Sequence, residues 1–375
     1  MKYLVFVTNI HGHFMEYIHH IAVKLASSND DELFIAVPDI IKEKRELFKW
    51  PDVPNIHWVY FDEKKVRTGK VFRDAFYSAR ELSSICKKNK PDQVILLLLF
   101  ATMPFLPFML PKGCKVSGII YNIYLYRWQR EKLIMKIQDV IKYFMISKMK
   151  VFNKVFILND AASALKLNKI WKTDKFTYLV DPYVPLEKEK IFNCREKLGI
   201  SPDKIVFLHI GSITRRKGVL YLFDIISKMP QEARDKSCFV FAGKIWGDVK
   251  DDFYSQYEKL NDNIQMIVFD EFCPYEFFGQ LCYSSDYVVL PYMNTCSSSG
   301  IIAYASQFKT PVIVPDGGMV PKLVRKHRIG KTVKGNFVTT FIKELPYYFS
   351  KELKGSDIYL KEHTIEIFSN QILLY

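Results

Sequence analysis

Three observations predict an α/β fold of two doubly wound, parallel-sheet domains. Short apolar runs rich in β-branched residues alternate with stretches of helical periodicity along the whole 375-residue chain. The alternation stops at residues 177–185 (TYLVDPYVP), a proline-marked stretch, and restarts at Ile205. The runs have the length and content of strands buried on both faces, and no low-complexity segment or short repeat interrupts them. The expected organisation is a first domain over residues 1–180, a linker over 181–204 and a second domain over 205–375. The tail, residues 337–375, reads as helical and is expected either to stay with the second domain or to cross back onto the first. Two such domains would face each other across a cleft lined by loops from the C-terminal ends of their strands.

Residues 2–7 (KYLVFV) are the first expected strand, and the polar loop 8–13 leads into an apolar-periodic helix over 14–25. Further strands are expected at 33–37, 56–60, 94–99, 116–121 and 155–158, with helical stretches near 40–48, 72–88 and 128–149. The second half opens with a strand at 205–210, the loop GSITRRKG, a helix at 219–229, a strand at 239–242 and the loop GKIWGD. A helix at 252–260, a strand at 266–269 and a helix at 274–283 follow. Residues 287–290 and 312–314 are two more short strands, separated by the turn 296–300 (CSSSG) and a helix at 301–308.

Composition narrows the class. Hydrophobic content of 49% and charged content of 25% are those of a globular protein. Seven scattered cysteines, none in a CxxC pair, suggest neither a disulfide framework nor a zinc site, and point to a reducing cytoplasm. The opening apolar run is too short for a signal peptide. Residues 94–110 carry no charge, but Pro104 and Pro107 favour a buried strand and an apolar loop over a membrane span. The net charge of +14 is uneven: residues 1–180 hold 29 basic against 17 acidic residues, and residues 181–375 hold 25 against 23. A positive first half suits an anionic membrane surface or a phosphorylated acceptor, and no nucleic-acid motif accompanies it. Residues 127–154 hold eight basic and two acidic residues around an apolar stripe at Leu133, Ile137, Val140, Ile141 and Phe144. One reading turns the stripe to the core and the charges to solvent. Another places Lys132, Lys136 and Lys150 on anionic lipid.

Candidate ligand groups cluster after expected strands. A helix starting behind Ser297, Ser298, Ser299 and Gly300 presents unpaired N–H groups; its serines serve either as a plain cap or as part of a phosphate site. Lys217, beside Arg215 and Arg216, reads as a solvated basic loop or as an anion site. Gly12 would let a ligand approach the backbone of the first loop. His13 beside it is either a surface residue or a general base. No His/Cys/Asp cluster has metal-ligand spacing, and no metal or cofactor is expected.

Four motifs then define a resemblance: Gly211-Ser212-Ile213-Thr214-Arg215-Arg216-Lys217-Gly218, Gly243-Lys244-Ile245-Trp246-Gly247, Ser285-Asp286 running to Pro291, and Ala305 to Ile313 followed by Gly317-Gly318. In this order, residues 203–335 resemble the donor-binding domain of GT-B glycosyltransferases, most closely the family 4 group (glycosyl transferases group 1). The resemblance implies two Rossmann-like domains and metal-independent, retaining transfer of a sugar from a nucleotide-diphosphate sugar. The acceptor would be a glycan or lipid-linked molecule in cell-surface polysaccharide biosynthesis, at the inner face of a membrane. It implies catalytic roles for Lys217 and His13, and a donor side made of Gly211, Ser212, Arg215, Arg216, Gly243, Phe272, Ser297, Ser298, Ser299, Gly300 and Tyr304. Gly12, Tyr121 and Asn122 fall on the acceptor side. Three features depart from the family pattern. Ser212 replaces an arginine, the two glutamates fall on Cys296 and Tyr304, and Tyr121-Asn122 stands where an acceptor-side histidine is frequent. A non-catalytic GT-B partner subunit and a GT-B sugar-nucleotide epimerase are the alternatives.

Overall fold

A computed structural model describes residues 1–8, 13–28, 30–42, 49–129, 131–293 and 297–373. The chain forms two compact units, Met1–Asp181 with Ile365–Tyr375, and Pro182–Thr364. Gly12, His11 and Cys296 lie outside the described residues, as does most of the helix expected near 40–48.

The first unit is built on seven parallel strands: β1 (Lys2–Phe6), β2 (Glu32–Pro38), β3 (Ile56–Phe61), β4 (Gln93–Leu96), β5 (Lys115–Ile120), β6 (Phe152–Leu158) and β7 (Phe176–Leu179). Their order is β3-β2-β1-β4-β5-β6-β7. Alternation along β1 divides the core in two. Leu4 and Phe6 face the layer carrying the helices Val71–Asn89 and Leu133–Lys148, while Tyr3 and Val5 face the helix Phe14–Ala26. The helix Ile365–Leu373 belongs to this second layer. Phe368 and Ile372 are buried there, and the Phe368 ring lies 4.7 Å from that of Tyr17.

The second unit holds six parallel strands: β8 (Ile205–Ile210), β9 (Ser237–Ala242), β10 (Gln265–Phe269), β11 (Tyr287–Val289), β12 (Val312–Pro315) and β13 (Gly330–Val333). Their order is β10-β9-β8-β11-β12-β13, the winding of a Rossmann sheet. Every residue of β8 is buried, which accounts for its unbroken apolar run apart from His209. Of residues 181–204, read from the sequence as a linker, 182–204 fall within this unit. Arg195 donates to the Ser284 carbonyl at 2.7 Å and pairs with Asp286 at 2.6 Å.

Two apolar segments fold differently from the simplest expectation. Residues 94–110 leave β4 at Leu96 for a 3₁₀ turn, Leu99–Thr102, and a short helix, Leu106–Met109. No helix among the described residues is long and apolar enough to cross a membrane. The stripe on the helix Leu133–Lys148 does not turn to the core: Leu133, Ile137, Val140, Ile141 and Phe144 are all exposed. The buried side holds Tyr143, Met145, Ile146 and Asp139 instead. Tyr143 packs its ring on Tyr124, Phe176 and Phe100, and Asp139 pairs with Arg127 at 2.7 Å. The bulky aromatic and the Arg127–Asp139 ion pair take the inner face, leaving the second apolar row outside.

Candidate functional site

The winding of the second sheet reverses between β8 and β11, so the loops that follow these two strands diverge to leave a crevice at their C-terminal ends. Residues 211–218 follow β8, and residues 290–300 follow β11. Backbone bonds tie the loops together, Met293 N–H donating to the Arg216 carbonyl at 3.0 Å. Gly218 makes that approach possible. Its φ is +72°, and a Cβ there would meet the Pro291 carbonyl oxygen at 1.9 Å.

Lys217 is at the centre of the site. A Cβ on Gly211, whose φ is +96°, would lie 2.9 Å from the Lys217 Nζ and 3.2 Å from Ile301 Cδ1. The absent side chain at Gly211 is therefore what lets the ammonium tuck against the backbone at the end of β8, beside the start of the helix Ile301–Gln307. The Nζ also lies 5.8 Å from the centre of the Tyr292 ring, whose hydroxyl is 3.0 Å from the Ser299 Oγ. Lys217 is half-buried and has no carboxylate partner among the described residues. Loss of hydration, with the Arg216 guanidinium nearby, lowers its pKa to about 8. Beneath it His209 is fully buried, its Nδ1 3.0 Å from the Val289 carbonyl. Burial drives its pKa down to about 4, against the raising effect of that hydrogen bond, and the Lys217 charge lowers it further.

The three basic residues of the loop have different fates. Arg215 is held in ionic contact with Asp252, and its Nε donates to the Asp248 carbonyl at 3.1 Å. Arg216 is exposed and makes no ion pair among the described residues. Only Lys217 is turned onto the end of the sheet. Ser212 is exposed, and Gly243 lies behind Gly211, where a Cβ would sit 2.2 Å from the Gly211 carbonyl oxygen. Ser297, Ser298 and Gly300 are partly exposed, and Ser299 is buried. Tyr304 packs its ring on Tyr275 and Phe278, and Phe272 is 80% exposed. Tyr292 and His209 are absent from the residues that sequence reasoning selects. Tyr292 directly follows Pro291 of the third motif, whereas nothing in the apolar run of β8 marks His209.

In the first unit, His13 is half exposed, with its Nδ1 3.4 Å from Glu16 and its ring stacked on Tyr17. Tyr17 donates a 2.5 Å hydrogen bond to the buried Asp181. Tyr121 meets Phe14 edge-on, and burial together with Asp181 raises its phenol pKa well above the usual value; Asn122 beside it is exposed. Among the described residues, no group of three or more His, Cys, Asp or Glu side chains gathers as a metal ion would require.

Two Rossmann-like sheets, the second with a lysine at its switch point that has no carboxylate partner among the described residues, are the architecture of the GT-B fold. Residues 190–358 match the family described as Glycosyl transferases group 1. An uncharacterised glycosyltransferase of Methanocaldococcus jannaschii is 29% identical over 147 residues, which are 39% of this chain and 36% of that protein. The match thus spans about a third of the curated relative's length. WaaG, a glycosyltransferase involved in lipopolysaccharide biosynthesis, superposes with a TM-score of 0.69 over the full length of both chains at 14% identity. Anabaena HepE in complex with UDP-glucose gives a TM-score of 0.68 at 12% identity, over 99% of this chain and 97% of its own. At such identities the likeness speaks to the fold.

Proposed function

We propose that the chain transfers a sugar from a nucleotide-diphosphate sugar to a glycan or lipid-linked acceptor in cell-surface polysaccharide biosynthesis, at the cytoplasmic face of a membrane. The observation that carries this reading is Lys217, a half-buried ammonium with no carboxylate partner among the described residues, held against Gly211 at the switch point. Holding a cation in that state costs free energy, which an anionic ligand offsets. A diphosphate supplies the anion, and negative charge grows on it as the glycosidic bond breaks. Lys217 meets that charge, Arg216 adds a second cation at the rim, and the Tyr292–Ser299 pair offers a hydroxyl donor. In this reading a lysine does the work that a divalent cation does elsewhere. The UDP-glucose complex of HepE agrees with the donor class. Family resemblance favours retention, with the leaving phosphate taking the acceptor proton; in an inverting course His13 would be the base.

Binding without turnover is the second reading, and one feature favours it. The helix Ile301–Gln307 carries no carboxylate, and Tyr304 stands where the family has one of its glutamates. Thermal-shift measurements with UDP-, GDP- and CMP-sugars identify the donor, because a ligand bound only by the native state raises apparent stability. Release of nucleoside diphosphate is then followed with and without a lipid-linked acceptor extract. Release that needs the extract supports transfer, stabilisation with no release in either case supports the second reading, and donor conversion without acceptor would point to an epimerase. No stabilisation by any donor would overturn all of them.

A further inference from the structure

We infer that the outward face of the helix Leu133–Lys148 is a monotopic insertion surface for an anionic lipid bilayer. Leu133, Ile134, Ile137, Val140, Ile141 and Phe144 are each between 43% and 73% exposed. They run the length of a 16-residue helix, about 24 Å at the usual rise. Single exposed apolar side chains need no explanation, but six on one helix of a globular unit make a patch of the kind that marks an interaction site. Val71, Phe72 and Phe108, from 66% to 86% exposed, add further exposed apolar side chains on helices of the same layer, where Phe72 packs on Phe105 at 4.7 Å.

The charge around the helix selects the occupant. Glu131 and Asp139 both pair with Arg127, at 3.1 and 2.7 Å, and Asp139 is buried. With both acids neutralised, Lys132 at the start of the helix and Lys148 and Lys150 at its end are exposed and pair with no carboxylate among the described residues. Lys136 lies over the half-exposed Trp128 ring at 5.5 Å, an amphipathic pair of the sort found at headgroup depth. An apolar strip rimmed by cations, its two neighbouring acids paired with Arg127, fits acyl chains below and anionic headgroups around it. A second copy of the chain fits badly, because a two-fold contact through this face would set lysine against lysine.

The test is sedimentation of the full chain with phosphatidylcholine vesicles that contain or lack phosphatidylglycerol. The parent is expected to bind the anionic vesicles, and less at high salt. Ile137→Ser with Ile141→Ser and Phe144→Ser should weaken binding at least about tenfold. Lys132→Gln with Lys136→Gln and Lys150→Gln should weaken it for anionic vesicles only. Val23→Ser, on the opposite layer of the unit, should leave it unchanged. Circular dichroism checks that the variants fold, which the exposure of the substituted positions favours. Parent-like binding by the serine variant, no binding by the parent, or a stripe-dependent dimer in velocity sedimentation would each overturn the proposal. The readout involves neither donor nor turnover, so its failure is distinguishable from failure of the glycosyltransfer reading.

Discussion

Lys217 and Arg215 are two residues apart and chemically alike, yet their surroundings assign them different work. Arg215 spends its charge on Asp252 and its Nε on the Asp248 carbonyl, so it serves to hold the loop. Arg215→Ala should change nucleoside-diphosphate affinity by no more than about threefold, since a surface ion pair contributes less than about 1 kcal/mol. Lys217 has no carboxylate partner among the described residues, and its proposed partner is the ligand. Its pKa of about 8 in the free protein means that the charged form is depleted above that pH, so affinity for the diphosphate should fall about tenfold between pH 7 and pH 9. In Lys217→Ala that pH dependence should flatten, and calorimetry at both pH values reads it. Gly218 tests the scaffold under the same loop. Gly218→Ala forces a side chain into a left-handed conformation and against the Pro291 carbonyl, and should cost about 1–3 kcal/mol in urea unfolding.

Among the elements, the helix Ile365–Leu373 shows how a distant segment completes a core. Phe368 and Ile372 are fully buried in the layer formed by the helix Phe14–Ala26. The Gln371 side chain accepts a hydrogen bond from the Val180 N–H at 3.0 Å, and the Leu373 carbonyl accepts one from Tyr3 at 3.2 Å. Removing a buried aromatic from such a site costs roughly 3–5 kcal/mol through lost transfer energy and the cavity left behind. Phe368→Ala should therefore lower the stability of the first unit by that order while leaving the unfolding of the second unchanged. Urea melts followed by hydrogen exchange on residues of β1 and β8 would separate the two. The helix Leu133–Lys148 carries the opposite lesson, because periodicity defines an apolar row without saying which of two rows faces inward. There Tyr143 and the Arg127–Asp139 pair decide, and neither stands out in the sequence. The edge strand β13, Gly330–Val333, is missed for a related reason: GKTV has too few apolar residues to read as a strand, and its register beside β12 is what makes it one.

At the scale of the whole molecule, the alternation of apolar runs and helical stretches is enough to read both sheets apart from the edge strand β13, because strands buried on both faces must be apolar throughout. The site is legible only in part. Glycines and a lysine at fixed offsets after β8 mark the loop proposed to hold the anion, but the Tyr292–Ser299 pair and the buried His209 arise from tertiary contact. Burial of histidines also sets a property of the entire chain. His20, His209 and His363 are buried neutral, each with its pKa lowered to about 4, mainly by desolvation. Their unfolded forms titrate near 6.5, so the unfolded state binds more protons between these values and stability falls as pH drops from about 6.5 towards 4. Each contributes on the order of 3 kcal/mol by this route, and urea midpoints at pH 7.5 should exceed those at pH 5. The central claim, that the second unit binds a nucleoside diphosphate through Lys217, is tested most directly by calorimetric titration of the parent and of Lys217→Ala with the diphosphate of the preferred donor. Losing a charge-assisted hydrogen bond should weaken binding by about tenfold to a hundredfold. Equal affinity in the two proteins would contradict it.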